Sequence, residues 1–220
     1  MSGTRAVLFD AFGTLFDVQG VEGRCTELVG PAGPALTLGW REAQLRYSWL
    51  ASLMDRWEPF DALTARALDY AAALTGVTLT ADARAELLAA YDSLPLFPEV
   101  AGALARLGAT PLAVLSNGSP AMLDAGLEAA GIASRFAHVF SASQARTFKP
   151  SPRVYALATN AMGAPAESCL FVSSNNWDVA GAAAFGFRAV YLNRSGRPEE
   201  AVGGAAMQTI ASLDALAALL

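Results

Sequence analysis

The stretch Val7-Leu8-Phe9-Asp10-Ala11-Phe12-Gly13-Thr14 decides the fold of this 220-residue chain. Val7-Leu8-Phe9 is a short apolar segment of the kind that forms a buried strand, and a Gly-Thr turn follows shortly after it. Asp10 therefore comes directly after the predicted strand. In a parallel sheet, the carboxyl ends of the strands form the edge at which open α/β folds bind ligands. The sequence thus predicts a parallel sheet with a carboxylate at its ligand-binding edge.

The composition indicates a globular protein with a large buried core. Hydrophobic residues make up 54% of the chain and charged residues 16%. A chain of 220 residues is long enough for one large domain or for one domain with a modest insertion. No apolar run approaches the ~18 to 20 residues of a membrane-spanning helix, so we expect no membrane association. The net charge of −5 argues against nucleic acid as a partner.

The start of the chain and the cysteines bear on the cellular compartment. Residues 1–5 lead directly into the first predicted strand and lack the basic flank and apolar core of a signal peptide. Cys25 and Cys169 are far apart in sequence and have no metal-ligand spacing, so we expect buried free thiols rather than a disulfide. These features predict a cytoplasmic location.

The sequence pattern changes twice along the chain. Residues 17–94 contain no convincing strand, and the spacing of apolar residues predicts helices over 38–54 and 62–74 and a third beginning at Thr80. Farther on, strands and helices alternate. Strands are predicted over 111–115, 138–140, 169–172 and 188–192, and helices from Ser119 and over 152–162, 179–185 and 212–220.

This alternation of short apolar strands with helices predicts an α/β fold with a doubly wound parallel sheet. The first strand belongs with the later alternating block, because a single strand forms no sheet by itself. We therefore predict a discontinuous α/β core domain, residues 1–16 and 95–220, with a helical domain, residues 17–94, inserted into it.

Four polar clusters stand at the predicted carboxyl ends of strands. They are Asp10 with Thr14, Ser116-Asn117-Gly118, Lys149-Pro150 with Tyr155, and Ser173 to Asp178. Each has an ordinary structural explanation by itself, because aspartates cap helices, Ser-Asn-Gly forms turns, and a loop lysine is usually solvated. The strand ends of a parallel sheet converge on one crevice, so the four clusters together indicate a single site.

In these motifs the chain resembles the type II L-2-haloacid dehalogenases of the haloacid dehalogenase superfamily, over nearly its whole length. The resemblance rests on the segment around Asp10, on Phe148-Lys149-Pro150, on Ser-Ser-Asn-Asn-Trp-Asp at 173–178, and on Gly39-Trp40-Arg41 with the residues up to Leu50. It implies an α/β core with a helical cap domain, a homodimer formed through cap helices, and a small 2-haloacid as substrate with halide as a product.

Two positions separate the chain from the phosphatases of that superfamily. Phe12 stands where those phosphatases usually carry an aspartate that protonates the leaving group, and Ser174 stands where an aspartate helps to hold magnesium. Without these carboxylates the site suits a hard cation poorly. We therefore expect neither a metal nor a cofactor. Dehalogenases more commonly carry Tyr at position 12 and often Ala at position 176, where this chain has Asn176.

The resemblance implies hydrolysis of short-chain L-2-haloacids to D-2-hydroxyacids through an aspartyl ester. Asp10 would attack C2 of the substrate in line and invert it, with Lys149 favouring the ionised carboxylate and Thr14 supporting it. Asp178, oriented with Ser173 and Asn175, would then activate the water that cleaves the ester.

The remaining roles that the resemblance implies concern substrate binding. Tyr155 would position Asp178 or the substrate. The substrate carboxylate would accept hydrogen bonds from Ser116 and from backbone amides, and the departing halide would face a guanidinium and a side-chain amide. Apolar residues would exclude water from the alkyl side. The residues concerned are Ala11 and Phe12 for the amides, Arg41 and Asn117 for the halide, and Leu45, Phe60 and Trp177 for the apolar wall.

Some of these residues also have plain structural explanations, and other functions stay open. Arg41 would be a surface cation of a helix, and Phe60 a core residue of the cap, if the resemblance did not extend to function. The alternatives to a dehalogenase are a magnesium-dependent phosphomonoesterase, a non-catalytic binding protein of the same fold, and a defluorinase that uses the same mechanism on fluoroacetate.

Overall fold

Six strands form one parallel sheet in a computed structural model that describes residues 4–220. The sheet order is β3-β2-β1-β4-β5-β6. This order confirms the predicted doubly wound α/β fold, because the strand order reverses beside the first strand. The prediction for the start of the chain falls partly on residues 1–3, which lie outside the described residues. The strands are β1 Ala6–Phe9, β2 Leu112–Ser116, β3 His138–Ser141, β4 Cys169–Ser173, β5 Arg188–Leu192 and β6 Gln208–Ile210.

The central strand β1 lies between β2 and β4, and its register aligns the strand ends. Phe9, its last residue, pairs with Val114 of β2 and with Val172 of β4. All residues of β1, β2 and β4 are buried, as expected for a parallel sheet that is covered on both faces. The residues that follow these three strands are therefore brought to one edge of the sheet.

Eight α-helices accompany the sheet within the described residues. They are α1 Val21–Val29, α2 Gly33–Leu53, α3 Phe60–Leu74, α4 Ala81–Ala89, α5 Val100–Arg106, α6 Pro120–Ala129, α7 Pro152–Met162 and α8 Asn176–Phe185. Two helix starts follow the capping signals in the sequence. The Thr80 side chain accepts a hydrogen bond from the Ala83 N–H at 3.1 Å, and Ser119 accepts one from Met122 at 3.4 Å. The predicted terminal helix forms as a 3-10 helix, Leu213–Leu219.

The segment between β1 and β2 contributes α1 to α5 and no strand, and the first four of these helices lie within the predicted insertion. The two ends of the helical insertion meet where Phe16 and Leu96 form an antiparallel bridge outside the sheet. Helices α2 and α3 pack against each other, and the buried Trp40 indole donates to the Thr64 carbonyl at 2.8 Å. The domain boundaries given above stay a prediction. Within residues 4–220, no helix is both long and apolar enough to cross a membrane.

Candidate active site

The site lies at the carboxyl edge of the sheet and is built from three neighbouring strands. Asp10 follows β1, Ser116 is the last residue of β2, and Ser173 is the last residue of β4. Lys149 reaches the same place from the segment before α7, and Asp178 from the first turn of α8. All five are buried, with exposed fractions of 5% or less. The structure thus brings together the polar clusters that the sequence places at strand ends.

The two carboxylate oxygens of Asp10 have different surroundings. Oδ2 accepts hydrogen bonds from Thr14 Oγ1 at 2.9 Å and Asn175 Nδ2 at 2.8 Å, with Ser173 Oγ at 3.4 Å. Oδ1 contacts one donor among the described residues, the Lys149 ammonium at 2.9 Å. Three donors fix the orientation of the carboxylate through Oδ2. Oδ1 is the less engaged oxygen and the better placed one for a bond to another atom.

Lys149 joins two carboxylates. Its Nζ donates to Asp10 Oδ1 at 2.9 Å and to Asp178 Oδ2 at 2.7 Å, with the Lys149 and Asp178 side chains fully buried. Burial alone lowers the pKa of Lys149, but the charges of Asp10 and Asp178 outweigh it and the pKa is raised. Burial raises the pKa of Asp178 to about 6, against the opposing effect of Lys149. Lys149 is therefore a permanent cation between two acids, one of which ionises near pH 6.

Tyr155 holds the other oxygen of Asp178. Its hydroxyl donates to Asp178 Oδ1 at 2.8 Å, and the side chain is fully buried. Burial, reinforced by the negative charge of Asp178, raises the pKa of Tyr155 far above the ordinary range. Tyr155 therefore stays protonated and acts as a donor that orients Asp178. Of the two partners expected for Tyr155, Asp178 or the substrate, the described residues show the contact with Asp178.

Two loops that follow β1 and β4 are tied to each other beside Asp10. The Ser174 N–H donates to Thr14 Oγ1 at 2.9 Å, and the Asn175 N–H donates to Ser173 Oγ at 3.1 Å. Asn175 Nδ2 contacts the Phe12 carbonyl at 3.3 Å in addition to Asp10 Oδ2. One uncharged amide thus joins the Asp10 carboxylate to the carbonyl of the loop after β1.

The residues present do not fit a resident magnesium ion. Over residues 4–220, no group of three or more His, Cys, Asp or Glu side chains is arranged to hold a metal. The Phe12 side chain is 4% exposed and lies among aromatic rings, with centroids 5.9 Å from Phe16, 6.5 Å from Phe60 and 6.2 Å from Tyr91. The position that holds an acid in phosphatases is thus part of an apolar layer.

Arg41 reaches the site from α2. Its Nη2 donates to the Phe12 carbonyl at 3.3 Å, and its Nη1 donates to Gln44 Oε1 at 2.7 Å. Gln44 is fully buried and donates in turn to Thr64 Oγ1 of α3 at 2.7 Å. The guanidinium is therefore held by Gln44 of its own helix and by the loop after β1, and Gln44 is in turn bound to α3. Sequence reasoning assigned a role to Arg41 but none to Gln44, because a buried glutamine on a helix has no motif of its own.

Several donors at the site have no acceptor in the described part of the chain. Asn117 Oδ1 accepts from the Lys149 N–H at 2.8 Å, whereas its buried Nδ2 has no partner there. The backbone N–H groups of Ala11 and Phe12 form no hydrogen bond with another described residue. Ser116 Oγ accepts from the Gly118 N–H at 3.2 Å, which leaves its own hydrogen available. These donors suit an anionic ligand.

The apolar residues predicted for the site come from the helical insertion and from α8 of the core. Phe60 is 1% exposed and packs against Phe148, with ring centroids 5.7 Å apart. Leu45 is half-buried on α2, one turn beyond Arg41. Trp177 of α8 contacts Trp49 of α2 edge to face at 5.4 Å. A cavity of about 990 Å³ adjoins the site, lined by Trp49, Leu53, Phe148, Lys149 and Trp177 among others; Leu45 and Phe60 are not part of its lining.

This fold with a strand-end carboxylate and a helical insertion defines a class of hydrolase. The family model of haloacid dehalogenase-like hydrolases matches residues 4–186. The chain belongs to this family. It is also 40% identical over 221 residues to an (S)-2-haloacid dehalogenase of Pseudomonas sp. strain YL. The alignment covers all of this chain and 95% of that protein.

Solved structures give the same relationship. A crystal structure of an L-2-haloacid dehalogenase superposes with a TM-score of 0.96 at 40% identity, covering 99% of both chains. The L-2-haloacid dehalogenase of Xanthobacter autotrophicus, in a structure with chloropropionic acid covalently bound, superposes with a TM-score of 0.92 at 36% identity, covering 98% of this chain and 97% of that one. The resemblance that the sequence motifs indicate is thus confirmed.

Proposed function

We propose that this protein hydrolyses short-chain L-2-haloacids to D-2-hydroxyacids, without a metal, through an ester on Asp10. The observation that supports this most directly is the asymmetry of the Asp10 carboxylate. Oδ2 is held by Thr14, Asn175 and Ser173, whereas Oδ1 contacts only Lys149 among the described residues. A carboxylate that is fixed through one oxygen presents the other as a nucleophile.

In the first step Asp10 Oδ1 attacks C2 of the substrate in line with the carbon–halogen bond. The new bond joins Oδ1 to C2, the carbon–halogen bond breaks, and the halide leaves with the electron pair. In-line attack inverts C2. The Lys149 ammonium, 2.9 Å from Oδ1, pairs with the buried Asp10 carboxylate and offsets the cost of burying its charge.

In the second step water attacks the Asp10 carboxyl carbon. Oδ2 is then the carbonyl oxygen of the ester and gains negative charge as water adds. Thr14, Ser173 and Asn175 already donate to this atom, so they stabilise the charge that develops there.

Asp178 accepts the proton of the attacking water, and the bond between the carboxyl carbon and Oδ1 breaks. The leaving oxygen takes a proton from the Lys149 ammonium, which regains one from Asp178, and the acid formed at Asp10 releases its proton to solvent. C2 keeps its inverted configuration, and the hydroxyl oxygen of the product comes from Asp10.

Free donors near Asp10 support the assignment of the substrate-binding residues. The substrate carboxylate accepts hydrogen bonds from Ser116 and from the backbone N–H groups of Ala11 and Phe12, which have no other partner in the described chain. The departing halide faces Arg41 and the unpartnered Asn117 Nδ2. Leu45, Phe60 and Trp177 exclude water from the alkyl side during the first step. The covalently bound chloropropionic acid in the Xanthobacter relative supports an ester intermediate in this chain.

The test is halide release from L-2-chloropropionate by the purified protein. We expect release that excess EDTA does not reduce, a D-2-hydroxyacid product, and almost no turnover of the D substrate. Asp10→Asn is the matched inactive control. Loss of activity in EDTA that magnesium restores, or turnover of a phosphomonoester with magnesium in place of the haloacid, would contradict the proposal and favour the phosphatase alternative. The absence of turnover on either substrate would favour a binding protein.

We also infer that the protein is a homodimer that forms through α2 and α3. These helices and the turn after α2 carry large apolar side chains that are 40% to 83% exposed, an arrangement typical of association surfaces. A second copy is a suitable partner because two such surfaces can cover each other by two-fold symmetry. Light scattering tests this, and Leu38→Glu with Leu74→Glu is expected to give monomers. The exposed residues are Leu38, Leu50, Leu53, Met54, Tyr70 and Leu74.

A cytoplasmic location is likewise part of the proposal. Cys25 and Cys169 are both free and buried, as predicted, and free thiols are typical of reducing compartments. Fractionation of cells that produce the protein tests the location. Recovery of the protein outside the cytoplasmic fraction would contradict it.

A further inference from the structure

We propose that Arg194 is a positioning residue for ester hydrolysis, an inference that rests on the function proposed above. Arg194 lies in the loop after β5, and no motif in the sequence points to it. Its Nη2 donates to the Thr14 carbonyl at 2.8 Å, and its Nη1 contacts Ser174 Oγ at 3.0 Å and the Gly13 carbonyl at 3.4 Å. One guanidinium thus joins the loop after β1 to the loop after β4.

The Arg194 side chain is itself held in place on its other side. Nε donates to Glu99 Oε1 at 2.7 Å, and the Arg194 and Glu99 side chains are only 19% and 18% exposed. The guanidinium carbon lies 3.7 Å from the centroid of the Phe97 ring, in cation–π contact. Phe97 belongs to the segment by which the chain returns from the helical insertion, where its N–H donates to the Leu15 carbonyl at 3.1 Å.

The two loops that Arg194 joins are those whose side chains hold Asp10 Oδ2. Thr14 donates to Oδ2 and accepts from the Ser174 N–H, while Asn175, the next residue, donates to Oδ2 as well. Arg194 contacts neither Asp10 nor any of these donor atoms. Its effect on the reaction therefore passes through the spacing of the two loops, which sets the distances from Thr14 and Asn175 to Oδ2.

The choice of arginine fits this task. The groups that Arg194 binds are two carbonyls, a hydroxyl and a carboxylate, and they lie in different directions. A planar guanidinium with five donors matches such a set, whereas an ammonium is a point charge with no fixed fork. If Arg194 served only to stabilise the fold through an ion pair with Glu99, its Nε would be enough. The contacts of Nη1 and Nη2 with the two loops would then have no explanation.

The proposal predicts which step depends on Arg194. Donors to Oδ2 matter most when Oδ2 gains charge, which happens as water attacks the ester. In Arg194→Ala we expect kcat to fall about 10²-fold, the scale of a misplacement of about 1 Å at a reacting centre. KM should fall as well and kcat/KM should fall much less than kcat, because Lys149 still holds Asp10 Oδ1 for ester formation. Halide should then appear as a burst equal to the enzyme concentration.

Three further measurements separate positioning from a general loss of structure. Arg194→Lys should show the same burst, and free guanidinium should restore part of the lost kcat in Arg194→Ala. Glu99→Gln keeps the arginine and its contacts with the loops, so its kcat should fall far less. Arg106→Gln is the matched control, since Arg106 forms an exposed ion pair with Asp214 and has no contact with the two loops, and it should behave as wild type.

The outcomes distinguish this inference from the proposed function. If the wild-type protein releases no halide from L-2-chloropropionate, the proposed function is wrong. If wild type is active and Arg194→Lys turns over at the wild-type rate without a burst, the positioning role is wrong. A variant with reduced kcat/KM, unchanged KM and no rescue by guanidinium would assign Arg194 to structural stability alone. Arg194→Lys keeps the test open should Arg194→Ala fail to fold.

Discussion

The edge of the sheet and the helical insertion contribute to the site in different ways. On the sheet side, Asp10 has four donors within 3.4 Å, supplied by side chains that are fixed by strand ends and by two cross-linked loops. On the side of the insertion, the half-buried Arg41 makes two contacts, one of them to a neighbour on its own helix. The proposed mechanism thus assigns the covalent chemistry to the core and the recognition of the halide to a residue of α2.

The largest effect should come from the core, at the second step. Asp178→Asn removes the base but keeps the size of the side chain, so the ester should form and then persist. We expect kcat to fall about 10³-fold, within the range for loss of a general base. Mass spectrometry of the peptide that contains Asp10 should show a mass gain after exposure to L-2-chloropropionate. The exposed Asp124→Asn is the control and should give neither effect.

An unmodified Asp10 peptide in the Asp178→Asn variant would contradict the division of roles between the two acids. It would mean that Asp178 acts before or during halide displacement.

The insertion should give the next largest effect, through Arg41. In Arg41→Lys a point charge replaces two placed donors, and we expect turnover to fall about 10²-fold, as for the loss of a charge-stabilising donor. Steady-state halide release measures it. Arg46→Lys on the exposed face of the same helix is the matched control and should be as active as wild type. Wild-type turnover in Arg41→Lys would mean that Arg41 is an ordinary surface cation and that halide displacement does not depend on this residue of the insertion.

The pH dependence of turnover should be the mildest effect, and it tests whether Asp178 is the base in the core. Asp178 accepts a proton only when ionised, and its pKa of about 6 means that it is ionised above that pH. Turnover should therefore level off above pH 6 and fall about tenfold per pH unit below the pKa. Esterification removes the negative charge of Asp10, which is one cause of the raised pKa, so the limb for kcat should lie at or below pH 6.

The residual activity of Asp178→Asn should lack this acidic limb. A limb that persists unchanged in that variant would assign the titration to another group.

The sequence predicts the strands, helices and strand-end residues of the core better than the residues that hold the site in place. The bounds of β5 and α7 agree with the predictions, because apolar runs and Pro152 mark them clearly. The strand β6 was missed, since it has three residues of which only Ile210 is buried. Strand ends make Asp10 and Ser173 visible as candidates. Gln44 and Arg194 received no role, because a buried glutamine on a helix has no motif and because the groups that Arg194 binds come from distant segments of the chain.

The central claim, that Asp10 forms a covalent ester, is tested most directly by a single turnover in heavy-oxygen water. With enzyme in excess over L-2-chloropropionate, the hydroxyl oxygen of the product comes from Asp10 and the water oxygen enters the Asp10 carboxylate. The account predicts mostly unlabelled 2-hydroxyacid, with the heavy oxygen in the peptide that contains Asp10. Labelled product from the first turnover, together with an unlabelled Asp10 peptide, would mean that water attacks the substrate directly and that Asp10 is a general base.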